Sequence, residues 1–250
     1  SDVMASKHDE NTVYALFNNH KSADFKPYVY KSTDKGKTWK SIASNLHEDH
    51  PVWTIEEDHE DPNLLFVGTE FGLFFTRDGG EKWIRLSGGL PSIAVRDIQI
   101  QKRENDLIVG TFGRGIYILD DYTPLRTASK ELFEKKAHIF PVKDALMYIE
   151  DISRDKGNMG ETFFTADNPP FGAVFTYYIK EAPKTLKDKR IEAEKEAEKA
   201  KKKIDYPSFK ELQAEDEEQK PFLIFKIMDM DNNVVRLLTA PYSKGIHRIA

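Results

Sequence analysis

The stretch FTRDGGEKWIRL, residues 75–86, repeats the pattern of an earlier stretch, KSTDKGKTWKSI, residues 31–42. Each places a hydroxyl residue, an aspartate, a glycine and a tryptophan at one spacing. The matching residues are Ser32, Asp34, Gly36 and Trp39 in the first stretch, and Thr76, Asp78, Gly80 and Trp83 in the second. Aspartate accepts hydrogen bonds from backbone N–H groups a few residues ahead, and glycine adopts the positive φ of tight turns. The repeat therefore predicts two equivalent β-hairpins.

The strands around these hairpins repeat as well. NLLFVGTEFGLFFTRDGG at 63–80 matches DLIVGTFGRGIYILDD at 106–121, and NTVYALF at 11–17 with YVYKSTDKG at 28–36 supplies a third copy. Each copy is rich in β-branched and aromatic residues and is divided by turn residues, which predicts short strands. Four strands in a repeat of this length are typical of a propeller blade. We therefore predict a mainly β chain that begins with blades of a β-propeller, residues 1–126.

The number of copies bears on completeness. Closed propellers contain about four to eight blades, and only three copies are present. The third copy ends as ILDDYTPLR at 118–126, without the glycine and tryptophan of the others, as expected where a chain leaves the ring. We therefore expect a piece of a longer protein that holds the closing blades. The open face of its first blade would contact upstream blades or a second copy of the chain.

The hairpin motif brings a known family into view. STDKGKTW at 32–39 fits the Asp-box pattern S/T-x-D-x-G-x-T-W, and TRDGGEKW at 76–83 fits it with Lys82 in place of threonine. The run from Leu65 to Asp121 resembles the end of the propeller in large bacterial sortilin-like proteins. These are BNR-repeat relatives of the VPS10 domain that are often labelled glycosyl hydrolases. The resemblance covers about half of the chain and implies that the Asp boxes lie on outer hairpins, away from the central site.

The repeated aspartates, Asp34 and Asp78, have two interpretations. As catalytic acids or metal ligands they would have to converge on one pocket, whereas a residue repeated once per blade is spread around the ring. As turn residues they would accept the hairpin N–H groups, while Trp39 and Trp83 would pack between blades and bury about 150–250 Å² each. We favour the structural interpretation, and the sequence assigns no catalytic residue.

Histidine and acidic residues gather in HEDH at 47–50 and EEDHED at 56–61. Side chains of these types bind zinc and calcium. The candidates are His47, His50, Glu56, Asp58, His59 and Asp61. Because they flank a predicted strand that contains Trp53, we interpret them as solvated blade loops and predict no metal site.

The glycine-rich stretch GTFGRGIY at 110–117 lacks the helix and the Lys-Ser/Thr pair of a phosphate-binding loop. Gly113 and Gly115 are more typical of a hairpin, which makes Arg114 at its tip a candidate ligand-facing residue. The family often carries histidine where this chain has Phe112. No spacing assigns the remaining arginines to the carboxylate-binding cluster of a sialidase, and the acidic residues are too numerous to single out the carboxylate pair of a glycosidase. Those arginines are Arg77, Arg85, Arg96 and Arg103.

The second half of the chain does not continue the repeat of the first half. We predict a linker at residues 127–160 and part of a β-sandwich at residues 161–250. NPPFGAVFTYYIK at 168–180 indicates a strand, and PFLIFKIMDMDNNVVRLLT at 221–239 indicates a hairpin that turns at Asn232-Asn233. This region resembles the FlgD-like, immunoglobulin-type domain that follows such propellers, and the resemblance implies an incomplete copy of it.

A highly charged segment, residues 184–218, interrupts the predicted sandwich. Strong helix formers run from Leu186 to Lys203, and Thr185 with Asp188 forms a capping-box pattern. Apolar residues are few on this helix, so it is predicted to be a solvated insertion.

Composition excludes several classes of function. The 250 residues carry a net charge of −5, which gives no electrostatic reason to bind nucleic acid. No apolar run reaches about 18 residues, so no membrane span is predicted. The chain has no cysteine, which excludes disulfides and thiolate chemistry and is compatible with the cytosol or with a secreted protein.

These observations lead to two hypotheses of function. The first is an extracytoplasmic binding or scaffolding module, secreted or held in the cell envelope, that binds a protein, peptide or glycan and uses no cofactor. It follows from the broad loop face of propellers and from the resemblance to sortilin-like proteins. The alternative is a glycoside hydrolase, sialidase-like or of another BNR-repeat type, whose catalytic residues lie mostly outside this chain.

Overall fold

A computed structural model of the chain describes residues 2–145, 149, 170–204 and 206–250. These residues form a mainly β structure of antiparallel sheets with few helices, which confirms the predicted class. The chain divides into two compact units, Ser1–Ala128 and Ser129–Ala250. Among the described residues, no helix combines the length and the apolar character needed to cross a bilayer.

Three antiparallel sheets build the first unit, and in each the strands follow one another in chain order. The first sheet contains β1 (Asp2–Ala5), β2 (Val13–Asn19), β3 (Asp24–Ser32) and β4 (Lys40–Ser41). The second contains β5 (Val52–Glu57), β6 (Leu65–Thr69), β7 (Gly72–Thr76) and β8 (Ile84–Leu86). The third contains β9 (Val95–Gln101), β10 (Asp106–Thr111) and β11 (Ile116–Leu119). Repeated meanders of this kind are the build of successive propeller blades.

Two hydrophobic cores form where these sheets stack. The first joins the first and second sheets, and its buried residues include Tyr14, Leu16, Val29, Ile42, Ile55, Leu65, Val67 and Trp83. The second joins the second and third sheets, and its buried residues include Leu64, Phe66, Leu73, Phe75, Val95, Ile98, Leu107, Val109 and Tyr122. Strand β6 is buried on both faces, which explains why its side chains are apolar without alternation.

Close packing accounts for the glycine of the Val-Gly-Thr repeat in the second sheet. A Cβ atom at Gly68 would lie 2.7 Å from the carbonyl oxygen of Val95 and 2.8 Å from the Thr54 side chain. Distances this short exclude any larger residue, so Gly68 permits the second and third sheets to approach.

The first unit ends with the short helix α1 (Pro124–Thr127), and the second unit has two small sheets. Its elements are α2 (Lys130–Glu134), β12 (Ala137–Ile139), β13 (Phe175–Ile179), α3 (Leu186–Lys199), α4 (Phe209–Glu217), β14 (Phe222–Met228), β15 (Val234–Pro241) and β16 (Gly245–Ile249). Strands β12, β13 and β16 form one sheet, and β14 with β15 forms the other. Tyr177, Ile179 and Ala240 make the small core of this unit.

The second unit matches some predictions and departs from others. Strands β14 and β15 form the predicted hairpin, and Asn232 takes the positive φ of its turn, 64°. Strand β12, by contrast, lies inside the segment predicted as a linker and pairs with β13 through Ala137 and Ile179. Most of that segment from residue 146 onward lies outside the described residues, as do the first residues of the predicted strand at 168–180. The immunoglobulin-type topology therefore stays a prediction.

The helical insertion has the predicted start. Thr185 and Asp188 form both bonds of a capping box at the beginning of α3. The helix ends at Lys199, before the predicted Lys203, and contains no buried residue. Arg190 pairs with Glu194 on the same helix and with Glu215 on α4, so ion pairs join the two helices where apolar contacts are few.

Candidate functional site

The first aspartate turn, residues 32–39, uses its carboxylate inside the turn. Asp34 accepts hydrogen bonds from the backbone N–H of Thr38 at 2.8 Å, from the Thr38 hydroxyl at 2.6 Å and from the Ser32 hydroxyl at 2.8 Å. Gly36 has a φ of 82° and donates its N–H to the Ser32 hydroxyl at 2.9 Å. The bonds from Thr38 and Ser32 lower the pKa of Asp34 to about 2. This carboxylate is therefore held as a charged brace.

The second aspartate turn, residues 76–83, repeats the arrangement. Asp78 accepts from the Thr76 hydroxyl at 2.5 Å and from the N–H groups of Glu81 and Lys82, each at 2.9 Å. Partial burial raises the pKa of Asp78, but the bonds from Thr76, Lys82 and Glu81 outweigh burial and bring it below its usual value. Both carboxylates therefore accept hydrogen bonds from N–H and hydroxyl groups of their own turns, which supports a structural role in the hairpins.

Replacing Asp78 by alanine is expected to lower the free energy of unfolding by about 1 kcal/mol, because turn N–H groups lose their acceptor while water still reaches them. Urea unfolding of the full chain measures the loss. Asp78→Asn, which keeps an acceptor at the same place, is the matched control and should retain most of the stability. An Asp78→Ala chain that is as stable as the parent but loses a binding or catalytic activity would refute the structural interpretation.

The two tryptophans of the turns lie in different surroundings. Trp83 is 3% exposed and belongs to the core between the first and second sheets. Trp39 was also predicted to pack between blades, but it is 44% exposed. It follows the turn on the outer side of the first sheet, and within the described residues no further sheet stacks there. Trp39 thus lies on the open face of the first blade, and its packing against a further blade stays a prediction.

The six residues considered as metal ligands do not converge. The ring centroids of His47 and His50 lie 5.1 Å apart with the rings tilted by 38°, while Glu56 pairs with Lys7. In the described part of the chain, no group of three or more histidine, aspartate or glutamate side chains has the geometry of a metal site. The interpretation of all six as solvated loop residues was nevertheless wrong, because Asp58 is completely buried.

Asp58 is the centre of a buried polar network. Arg126 donates to both carboxylate oxygens, from Nε at 2.6 Å and from a terminal nitrogen at 2.8 Å. The Tyr122 hydroxyl donates to the same carboxylate at 2.5 Å, and Asn105 accepts a further bond from Arg126 at 2.8 Å. Burial raises the pKa of Asp58, but Arg126 and Tyr122 more than compensate and bring it below its usual value. The network ties the segment after the third sheet to the second sheet.

The neighbouring acid, Glu57, is buried toward the opposite side. Its carboxylate accepts from the Tyr14 hydroxyl at 3.0 Å and from the Ser6 hydroxyl at 2.9 Å. Successive residues of a strand point to opposite faces, so the two acids at the end of β5 serve the two flanking sheets. Glu57 faces a tyrosine of the first sheet, and Asp58 faces Tyr122 beyond the third. Both are placed to lock the stack rather than to meet a ligand.

The opposite edge of the stack presents side chains outward. In each meander the turn between the second and third strands lies at one end, and in the first two meanders the aspartate turn lies at the other end. We call the first end the loop edge, formed by residues 20–23, 70–71 and 112–115 together with residues 47–51 of the connection that leads to β5, where His50 contacts Phe71. All three sheets contribute to it.

Five side chains meet at the loop edge and form what we call the aromatic–arginine cluster: His20, Trp53, Glu70, Arg96 and Phe112. The Arg96 guanidinium lies 3.5 Å from the centroid of the Trp53 ring and 5.2 Å from that of Phe112. Glu70 accepts from the Trp53 indole N–H at 2.9 Å and from Arg96 at 3.3 Å. His20 meets Trp53 edge to face at 5.4 Å. Each sheet thus supplies part of one contact group.

A second group of rings continues from this cluster along the β6–β7 turn. Phe71, next to Glu70, contacts the His50 ring at 4.9 Å, and His50 contacts His47 and Phe74. Burial lowers the pKa of His50, and the nearby His47 and Arg85 lower it further. His50 is therefore held neutral near pH 7. Phe71 and Phe112 both leave much of their rings in solvent, so aromatic surface is available on both sides of Glu70.

Arg114, the predicted ligand-facing residue, lies in the β10–β11 turn of the loop edge. It is exposed, and Gly113 and Gly115 on either side have φ values of 84° and 73°. The turn therefore carries both Arg114 and the exposed ring of Phe112 outward. Within the described part of the chain, no contact places Arg114 in the aromatic–arginine cluster. That cluster is the group that sequence reasoning missed.

Two signals in the sequence point to that cluster. Trp53 and Arg96 occupy the same position in two repeats, because each is the second residue of the first strand of its sheet, β5 or β9. Glu70 and Phe112 directly follow the two Val-Gly-Thr copies. An alignment of the repeats, with attention to equivalent positions at the loop edge, would therefore have grouped these four residues.

Comparison with known proteins gives partial overlaps only. No protein-family model matches the chain, and no curated protein matches it. Among solved structures, a GH74 enzyme of Niastella koreensis overlaps with 46% of this chain and 20% of its own, at 20% identity and a TM-score of 0.39. An ancestral GH74 enzyme overlaps with 47% and 18%, at 14% identity and a TM-score of 0.40. The GH74 xyloglucanase of Xanthomonas campestris overlaps with 46% and 20%, at 14% identity and a TM-score of 0.35.

GH74 denotes a family of glycoside hydrolases. The chain spans about a fifth of the length of these enzymes. Similarity of this extent does not assign an activity, which has to be argued from the side chains.

Proposed function

We propose that the first unit is a binding module whose ligand lies on the loop edge, and that the aromatic–arginine cluster is its contact surface. The observation that carries the proposal is the convergence of three sheets on one partly exposed group of aromatic and charged side chains. The aspartate turns lie at the other end of the sheets, and their carboxylates accept hydrogen bonds within the turns. We therefore do not consider them as a second candidate for the ligand-binding site.

The composition of the cluster suits a ligand with flat apolar faces and hydroxyl or amide groups. The Phe112 ring is 69% exposed, and exposed aromatic rings bind sugar faces and peptide side chains at low cost in conformational entropy. The side chain of Arg96 is 34% exposed, and a guanidinium carries five N–H donors for ligand oxygens. A glycan or a peptide segment of a protein meets both requirements.

We place this binding role outside the cytoplasm, in the cell envelope or in a secreted protein. The support is the resemblance of Leu65–Asp121 to bacterial sortilin-like propellers. If the ligand is a peptide segment of another protein, this binding module would act as a scaffold for that protein.

The test begins with a glycan array and a peptide array probed with the full chain. For the best binder, Phe112→Ala is expected to weaken the affinity by at least about tenfold, because it removes the most exposed ring of the surface. Trp39→Ala removes an exposed ring at the opposite end of the first sheet and should leave the affinity unchanged. Calorimetric titration of both variants decides the matter: equal affinities for Phe112→Ala and the parent chain would contradict the proposal.

Glycoside hydrolysis is the second candidate, and the position of Glu70 within the cluster favours it. Hydrolysis requires a pair of carboxylates across the scissile bond, and the contacts of the described residues bring one, Glu70, into this cluster. Turnover of xyloglucan, the polysaccharide implied by the name of one structural neighbour, would support this candidate if Glu70→Gln abolished it. Binding without turnover would leave the binding module as the better account.

A further inference from the structure

The surroundings of Trp83 show what this type of turn requires from a neighbouring sheet. The indole N–H of Trp83 donates to the carbonyl oxygen of Ile42 at 2.6 Å. Asn45 bonds the backbone of Trp83 twice, accepting its N–H at 2.7 Å and donating to its carbonyl at 2.8 Å. The Ser44 hydroxyl adds a bond at 2.5 Å to the carbonyl of Glu81. We call residues 42–45, which follow β4, the capping segment.

Gly80 makes the fit closer still. A Cβ atom added there would lie 2.8 Å from the Cβ of Ile42, which leaves no room for any other residue. The glycine of the turn is therefore required by the approach of the capping segment as well as by its own φ of 102°.

Trp39 has the same place in the first sheet but different contacts. Its indole N–H donates to the carbonyl oxygen of Gly36 in its own turn at 3.0 Å, and nearly half of the side chain is in solvent. A Cβ added at Gly36 would meet only the ring of Trp39 itself, at 3.5 Å. In the described chain, nothing takes the part that Ile42 and Asn45 play for Trp83.

The rest of this face is apolar as well. Val3 pairs with Ala15, and Ala15 pairs with Tyr30, which places the three side chains on one face of the first sheet. Phe17 lies two residues beyond Ala15 on the same face. Its ring meets that of Tyr30 edge to face, with the ring centroids 6.2 Å apart. Val3 is 67% exposed, and Phe17 is exposed too. The opposite face, with Tyr14 and Leu16, is buried against the second sheet.

We propose that this outer face binds a further β-sheet of the same type, whose last strand is followed by a capping segment with an apolar residue and an asparagine at the places of Ile42 and Asn45. The occupant is defined by the interface that the chain already contains between its first and second sheets. The inference rests on the surroundings of the two tryptophans and is independent of the proposed binding function.

A second copy of the chain is a poor occupant. Its own capping segment is engaged with Trp83. The corresponding segment after β8 has Gly88 and Gly89 in place of Ser44 and Asn45, so it lacks the side chains that bond a tryptophan backbone. Its Leu86 and Leu90 already pack in the second core.

The chain supplies its own probe. Residues 2–53 contain the first sheet, its capping segment and the connection to the next sheet. A duplicate of them is placed directly before Asp2. In this chain β1 of the original copy follows the duplicate as β5 follows the first sheet in the natural chain. Because the natural chain has no cysteine, a single Val3→Cys substitution in the original copy reports on the outer face through its rate of modification by a thiol reagent. Ile118→Cys, on an exposed strand position of the third sheet, is the matched reporter.

In the duplicated chain, modification at Val3→Cys is expected to slow by at least about tenfold relative to the unduplicated chain, because the added sheet excludes the reagent. The rate at Ile118→Cys should not change. Ser44→Gly and Asn45→Gly in the added copy alone should restore fast modification. An unchanged rate at Val3→Cys, or a duplicated chain that fails to fold by circular dichroism, would overturn the proposal. So would sedimentation showing that the unduplicated chain is a dimer with Val3→Cys already protected, since a second copy would then cover the face.

Discussion

Replacing Trp83 by alanine is expected to lower the free energy of unfolding of the first unit by about 3–5 kcal/mol. Trp83 is almost completely buried between the first and second sheets, and its removal leaves a cavity that the rigid sheets cannot close. It also removes the donor to the Ile42 carbonyl. Urea unfolding of the full chain, followed by circular dichroism, measures the change in midpoint.

The matched control is Trp39→Ala, because the two tryptophans occupy equivalent places in their turns. About half of the Trp39 side chain is exposed and its indole bonds only within its own turn, so its removal should cost clearly less than the removal of Trp83. Equal losses for the two variants would mean that Trp39 is buried in solution, either by a partner or by a second copy.

The second large effect concerns Asp58. Its replacement by alanine is expected to cost about 3–5 kcal/mol, because the Arg126 guanidinium, itself 13% exposed, loses the buried carboxylate that accepts two of its hydrogen bonds and keeps the exposed Glu60 as its counter-ion. Glu60→Ala is the matched control. Glu60 pairs with the same guanidinium at 2.6 Å but is 57% exposed, and exposed ion pairs contribute about 0–1 kcal/mol. A loss for Asp58→Ala no larger than that for Glu60→Ala would contradict the assigned role of the network.

The same pair predicts a dependence on pH. The folded-state pKa of Asp58 lies below its usual value, whereas in the unfolded chain it returns to about 3.9. A depressed pKa contributes stability that is present above the unfolded value and is lost as the pH falls through the folded value. The difference in stability between the parent chain and Asp58→Ala should therefore be constant near neutral pH and shrink in acid below about pH 3.9.

Local features were predictable from the sequence. The aspartate turns need contacts only within eight positions of the chain, and the hydroxyl, aspartate and glycine of each turn lie where that local chemistry requires. The repeat of strands and turns likewise indicated stacked antiparallel sheets. The capping box of α3 and the turn at Asn232 follow from short motifs for the same reason.

Features that depend on distant contacts were not predictable. Asp58 looked like one more acid in a solvated loop because its partner, Arg126, is 68 residues away. The different exposure of Trp39 and Trp83 was not readable from their turns, because burial of a tryptophan in such a turn depends on a neighbouring sheet. The three residues of β12 are too few to signal a strand inside a predicted linker.

The candidate site divides in the same way. Arg114 was singled out from its turn, and the turn does lie on the loop edge. The aromatic–arginine cluster was missed because its members come from separate repeats and meet only when the sheets stack. In the sequence, Trp53 and Arg96 read as ordinary strand residues, while in the structure the Arg96 guanidinium lies against the Trp53 ring.

The central claim is that the repeated aspartates hold the fold while the loop edge binds the ligand. The most direct test is to measure stability and ligand affinity together for Asp78→Ala and Phe112→Ala, with the ligand taken from the array experiment. The account predicts that Asp78→Ala loses about 1 kcal/mol of stability and keeps its affinity, and that Phe112→Ala keeps its stability and loses affinity. The reverse result, with affinity lost in a fully stable Asp78→Ala chain and kept in Phe112→Ala, would contradict it.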